Sequence, residues 1–151
     1  MEIHVKNTQS LLPISEDAVR QIVLSCLSRE AILCDEVSIH FVEASEISKL
    51  HQEHFQDSSV TDCISFPIDN SQDSGYKPLG DVFVCPAVAL SYARTHSKTN
   101  IYRELTLYII HGLLHLIGYD DLEKADRKTM RLAERRHMLH LKRRGLILQI
   151  V

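Results

Sequence analysis

The chain has 151 residues, 44% hydrophobic and 25% charged, with a net charge of −3; these values fit one domain spanning 1–151 with a substantial core. The four cysteines (Cys26, Cys34, Cys63, Cys85) form no C-x-x-C pair, so reduced thiols of a cytoplasmic protein are expected rather than a disulfide framework. No apolar run approaches the ~20 residues that cross a bilayer, and Met1–Lys6 has no basic segment leading into an apolar one, so neither membrane segment nor signal peptide is expected. The net charge hides an asymmetry. Residues 124–144 hold nine Lys/Arg against Asp126 and Glu134, a balance of +7, whereas residues 1–123 balance to −10. An acidic body with a basic C-terminal segment points to a polyanion met by one surface.

In chain order, Glu2–Lys6 alternates with Ile3 and Val5 on one side and predicts a short strand. Ser15 is an N-cap with Glu16 and Asp17 in the first turn of a helix ending near Arg29. Val37, Ile39 and Phe41 alternate in a second strand. Ser45 and Ile47 begin a short helix running to Phe55. Cys63–Phe66 is a third strand closed by Pro67, residues 69–78 a loop, and Asp81–Cys85 a fourth strand. Pro86 suits the first turn of a third helix through Thr95. A basic amphipathic helix covers 123–144, with Leu132, Met138, Leu139 and Leu141 expected inward. The apolar tail either docks as a strand or stays loose. Strands in the first half and helices in the second predict an α+β fold, a small four-stranded mixed sheet with about five helices.

The fourth helix carries the chemistry. From Leu105 to Ile117 it is apolar except for Thr106, His111, Gly112 and His115. A helix apolar all round is a buried one. His111 and His115, at i and i+4, lie on one face and can converge on one metal ion. Burying two imidazoles without partners costs about 1–3 kcal/mol each, and glycine inside a helix about 0.5–1 kcal/mol more. A sequence shaped only for stability would avoid all three. Gly118 then ends the helix and lets the chain return a ligand from Tyr119-Asp120-Asp121. The pattern H-x-x-x-H-x-x-G-x-x-D has the spacing of the long zinc-protease signature, but Gly112 stands where the protease has its glutamate base. Metal binding is favoured and peptide hydrolysis is not.

Other candidates carry less. Asp62 and Asp81 each precede a strand, where aspartate ordinarily serves a turn. The pairs His51/His54 and His137/His140 lie among charged residues and read as solvated faces. Nothing resembles a phosphate loop or a serine or cysteine nucleophile constellation.

Taken together, His111-Gly112-x-Leu114-His115-Leu116-x-Gly118-Tyr119-Asp120, Thr61-Asp62-Cys63-Ile64-Ser65-Phe66-Pro67 and Gly80-Asp81-Val82-Phe83-Val84-Cys85 resemble the motifs of the YbeY family, metal-dependent endoribonucleases of ribosomal RNA maturation, in order, spacing and total length. The resemblance implies a zinc-protease-like α+β domain, one Zn2+ held by the two helix histidines and a third ligand, and a role with ribosomal RNA and the small ribosomal subunit in the cytoplasm, away from membranes. Two positions depart from the family pattern. The third ligand, usually histidine, is Asp121, and the position of an arginine important in the family is Phe55.

The expected reaction is metal-assisted phosphodiester hydrolysis in single-stranded RNA. His111, His115 and Asp121 hold the ion, Asp81 acts as base or water-orienting group, and Glu104 supports the ligands from behind. Arg135, Arg136, Arg143 and Arg144 hold the RNA backbone by charge. The alternatives are a ribosome-binding assembly factor with a structural metal and a metallohydrolase of other substrates.

Overall fold

A computed structural model describes residues 1–69 and 75–151. The expected loop at 69–78 therefore lies partly outside the described residues. The elements run β1 (Glu2–Asn7), α1 (Glu16–Arg29), β2 (Glu36–Phe41), α2 (Ala44–Phe55), β3 (Cys63–Pro67), β4 (Pro78–Val84), α3 (Pro86–Thr95), α4 (Ile101–Leu116) and α5 (Lys124–Arg143). The sheet order is β1-β2-β4-β3. β1 and β4 flank β2 in parallel, and β3 closes the sheet antiparallel to β4. This is the expected α+β fold with a mixed sheet.

Local chemistry accounts for the element ends. Ser15 accepts the amide of Ala18 at the start of α1, and Asn100 accepts that of Arg103 at the start of α4. β4 begins earlier than its hydrophobic run predicts, because Gly80 and Pro78 still pair with Pro67 and Glu36. Cys85, expected in that strand, is instead the N-cap of α3. The tail adds no strand. It docks through Leu148, whose amide donates to Thr106 Oγ1 at 3.1 Å, and leaves Ile150 and Val151 exposed.

The main core lies between one sheet face and α1 and α4. Val37, Ile39, Phe41, Val82 and Val84 meet Ile22, Cys26, Leu105, Ile109 and Leu113, all fully buried. α4 lies so close to the sheet that a Cβ on Gly112 would overlap Val82 Cγ1, and Ser65 Oγ donates to the Gly112 carbonyl at 2.8 Å. The mid-helix glycine is thus the condition for that close approach. A smaller cluster of Val42, Ile47, Ile64 and Cys85, with Phe66 and Phe83 beside it, packs α2 against the sheet.

α5 packs on α4 through a face that includes Met138 and Leu141, as expected, but not Leu132 and Leu139. Met130, Ala133, His137, Met138 and Leu141 are buried, while Leu132 and Leu139 remain 49% and 46% exposed. His137, expected on a solvated face, is only 2% exposed because Glu30, at the end of α1, accepts its Nε2 at 2.9 Å. A buried imidazole is tolerated once its polar atom has a partner.

Candidate metal centre

The last turn of α4 and the turn after it build the site. At the helix end, Gly118 takes φ +109°, its amide donates to the His115 carbonyl at 3.2 Å, and the Tyr119 amide donates to the Leu114 carbonyl at 3.0 Å. This is the Schellman closure, which turns the chain back over its own helix. Asp120 Oδ1 then accepts the amides of Asp121 at 2.7 Å and Leu122 at 3.3 Å. Asp120 thereby orders the loop that carries Asp121, a role separate from that of its neighbour.

The result brings His111, His115 and Asp121 together. The two Nε2 atoms are 3.1 Å apart, and Asp121 Oδ2 lies 3.4 Å from His115 Nε2 and 3.6 Å from His111 Nε2. Ligands bonded to one ion at about 2.1 Å in a tetrahedron sit roughly 3.4 Å from one another, so the spacing fits a shared divalent ion.

The hydrogen bonding behind the rings points the same way. His111 Nδ1 lies 3.2 Å from Glu134 Oε2, and His115 Nδ1 lies 3.0 Å from the Tyr119 carbonyl. A carboxylate and a carbonyl can only accept, which puts the ring hydrogens on both Nδ1 atoms. With both rings neutral, the two Nε2 lone pairs face each other beside a carboxylate, an arrangement that a shared proton or a metal ion satisfies. These three residues can bind a metal ion.

The electrostatics of the surrounding cleft agree. Asp62, Asp121 and Glu134 border the same hollow as His111. Burial works against a charge on His111, but the bond from Glu134 and the carboxylates of Glu134, Asp62 and Asp121 outweigh it and hold the imidazole above its ordinary range. Cys63, also at the cleft, is pushed well up by its shelter from water and by Asp62, Asp121 and Glu134. Its thiol is held neutral and is a poor nucleophile. Arg127 and Arg131 border the same hollow and offset part of this negative charge.

The other expected site residues go elsewhere. Val82 faces α4, so Asp81, one residue away in β4, projects from the opposite sheet face. There its Oδ1 bonds His40 Nε2 at 2.8 Å, and His40 stacks on Phe83. The structure does not bring Asp81 to the metal cleft. Asp62 does reach it. Its Oδ1 accepts the Cys63 amide at 2.8 Å, the expected turn role, yet its side chain also borders the hollows on both sides of His111.

Glu104 is buried two turns from His111 and accepts the Thr99 hydroxyl at 3.1 Å, so it does not support the ligands. That position belongs to Glu134, which sequence reasoning misses. The available signal was its place as one of two acids in the basic segment, one residue from buried Ala133.

The four expected arginines do not share one surface. Arg135 borders a groove between α4 and α5. Arg136 reaches the Tyr119 hydroxyl at 3.4 Å and Glu30 at 3.8 Å. Arg144 lies at the far end of α5 beside Arg29, next to exposed Arg143. Phe55, 56% exposed, stands at the mouth of the metal cleft with His51.

Comparison with known proteins follows this geometry. The sequence model described as Endoribonuclease YbeY matches residues 4–142. Endoribonuclease YbeY of Protochlamydia amoebophila (strain UWE25) is 48% identical over 147 residues, covering 97% of this chain and 97% of the relative. Endoribonuclease YbeY of Chlamydia pneumoniae is 34% identical over 151 residues, covering 98% and 96%. The solution structure of TM1509 from Thermotoga maritima superposes with a TM-score of 0.62 at 23% identity, over 91% of this chain and 87% of that one. At that identity the likeness bears on the fold alone.

Proposed function

This chain belongs to the YbeY endoribonuclease family, and we propose that it is a zinc-dependent, single-strand-specific endoribonuclease acting in ribosomal RNA maturation and ribosome quality control. The observation that carries the metal dependence is the convergence of two Nε2 lone pairs and one carboxylate oxygen at 3.1–3.6 Å. His111, His115 and Asp121 are the ligands in this reading, and three protein ligands leave a fourth position for water or substrate. The ion supplies Lewis acidity, acidifying water and polarising a phosphoryl oxygen.

The chain's own residues do the rest. Glu134 and the Tyr119 carbonyl fix the ring orientations. Of the two carboxylates beside His111 that are not ligands, Glu134 is held by the ring Nδ1, so Asp62, which borders the hollows on both sides of His111, takes the water-orienting role and accepts the proton. Gly112 leaves no room for the glutamate base of the zinc proteases, which sets peptide hydrolysis aside. The cleft on the Phe55 side, about 450 Å³, suits an extruded nucleotide rather than a duplex. The partners in this reading are ribosomal RNA and the small ribosomal subunit, and the compartment is the cytoplasm. No described helix is long and apolar enough to cross a membrane.

A second reading, a ribosome-binding assembly factor whose metal is structural, is favoured by exposed Phe55 where the family pattern has an arginine. The two separate in one assay. Zinc-loaded protein incubated with an unstructured ribosomal RNA fragment should cut it, and Asp62→Asn should bind the fragment but cut it at least a hundredfold more slowly. Binding without cleavage by wild type would favour the assembly factor.

A further inference from the structure

A groove of about 820 Å³ runs between α4 and α5 and adjoins the hollow beside His111. Five cations border it: Lys98 before α4, Arg103 on α4, and Arg131, Arg135 and Lys142 on α5. Among the described residues, none of these five pairs with a carboxylate within 4.0 Å. Arg136 and Arg20, by contrast, are engaged with Glu30 and with Glu16 and Asp17. Among the described residues, the one carboxylate that borders the groove, Glu134, is turned to His111.

Unpaired cations gathered from two helices and a loop cost self-repulsion, which a polyanion relieves. The floor between them is apolar, with Met138, Ile147 and half-exposed Leu139. Leu107, Arg131 and Glu134 border both this groove and the hollow that holds His111 and Asp121, so the two are continuous. From Arg131 to Lys142 the helix rises about 16 Å, a length several nucleotides can follow.

We propose that this groove is the track for the RNA strand on one side of the cut phosphodiester. Lys98, Arg103, Arg131, Arg135 and Lys142 meet successive phosphates, and the Met138–Leu139 floor takes base faces. The inference rests on the endoribonuclease reading. It shares only Arg135 with the arginine set expected from sequence: it adds Lys98 and Arg103 from outside the basic segment and Arg131 and Lys142 from within it, and it leaves out Arg136, Arg143 and Arg144.

The test is a salt series of fluorescence anisotropy with zinc-loaded protein and a labelled unstructured 12-nucleotide RNA. One variant combines Arg103→Gln, Arg135→Gln and Lys142→Gln. A charge-matched control combines Lys6→Gln, Lys49→Gln and Lys77→Gln, none of which borders the groove. Each phosphate contact contributes about −0.7 to the slope of log K against log salt for a single strand. The groove variant should therefore bind more than tenfold more weakly at low salt, with a slope flatter by about 2, while the control keeps the wild-type slope. Circular dichroism and thermal melting check both folds. If the groove variant fails to fold, single substitutions Arg103→Gln and Lys142→Gln serve, each expected to flatten the slope by about 0.7.

An unchanged slope in a folded groove variant would overturn the track while leaving the endoribonuclease reading intact. So would a control that loses as much. Absence of RNA binding by wild type would overturn both.

Discussion

Glu134→Ala tests whether Glu134 positions His111 as a metal ligand in the proposed site. The side chain is 16% exposed and its Oε2 lies 3.2 Å from His111 Nδ1, so its removal leaves a partly buried ring hydrogen without an acceptor. Carboxylates behind a ligating histidine fix its tautomer and raise its basicity, and their loss typically costs about 10–100-fold in metal affinity. In free energy that is about 1.4–2.7 kcal/mol. Glu134→Gln keeps an acceptor oxygen but removes the charge, so it should fall between wild type and alanine. Competition for zinc against a chromophoric chelator measures all three proteins. The reasoning fails if Glu134→Ala binds zinc within twofold of wild type. It also fails if the loss equals that of His111→Ala, which would make Glu134 a ligand rather than a support.

Three further outcomes follow from the packing and the cleft. Gly112→Ala forces a methyl into Val82, and overpacking of about 1–3 kcal/mol against about 1 kcal/mol of gained helix propensity should leave a net loss in urea denaturation; unchanged stability would mean that α4 can lift from the sheet. Asp81→Asn should leave RNA cleavage within about twofold, whereas Asp62→Asn loses the ~10²-fold or more typical of general base catalysis; the reverse order would return the base role to Asp81. Stability should fall on acidification. Burial holds His137 below its usual range, so the unfolded chain takes up that proton first as pH drops below about 6.5. Burial alone would raise Glu30, but bonds from Tyr119 and His137 and the Arg136 charge leave it lowered, adding a loss of the same sign in the carboxylate range. His137→Gln should flatten the thermal-melt profile below about pH 6.5.

Much of the fold is legible in the sequence wherever one local pattern decides it. Ser15 with Glu16 and Asp17 marks the start of α1, Pro86 that of α3, and the apolar run with Gly118 marks α4 and its turn. The grouping of the i, i+4 histidines with the returning Asp121 is legible for the same reason, since one helix end and one turn bring together these three residues, which could hold a metal ion. What is not legible depends on long-range partners. His137 reads as solvent-facing, and Glu134 is missed, because their partners, Glu30 and His111, lie 107 and 23 residues away. Leu132 and Leu139 read as inward because nothing local shows that polar residues occupy that face. Asp81 stands beside a strand in sequence, but only the register against α4 shows that it emerges on the far side. Charge counted along the chain likewise groups Arg135 with Arg136, which successive positions on a helix send in different directions.

The metal content of the purified protein tests the central claim most directly. Elemental analysis and zinc titration should find about one zinc per chain in wild type. His115→Ala and Asp121→Ala should lose most of the affinity, Asp120→Ala should lose less, and Asp121→His should retain zinc. A wild-type protein that neither carries nor takes up an ion, or an Asp121→Ala protein that binds zinc as tightly as wild type, would contradict the assignment of His111, His115 and Asp121 as the metal site.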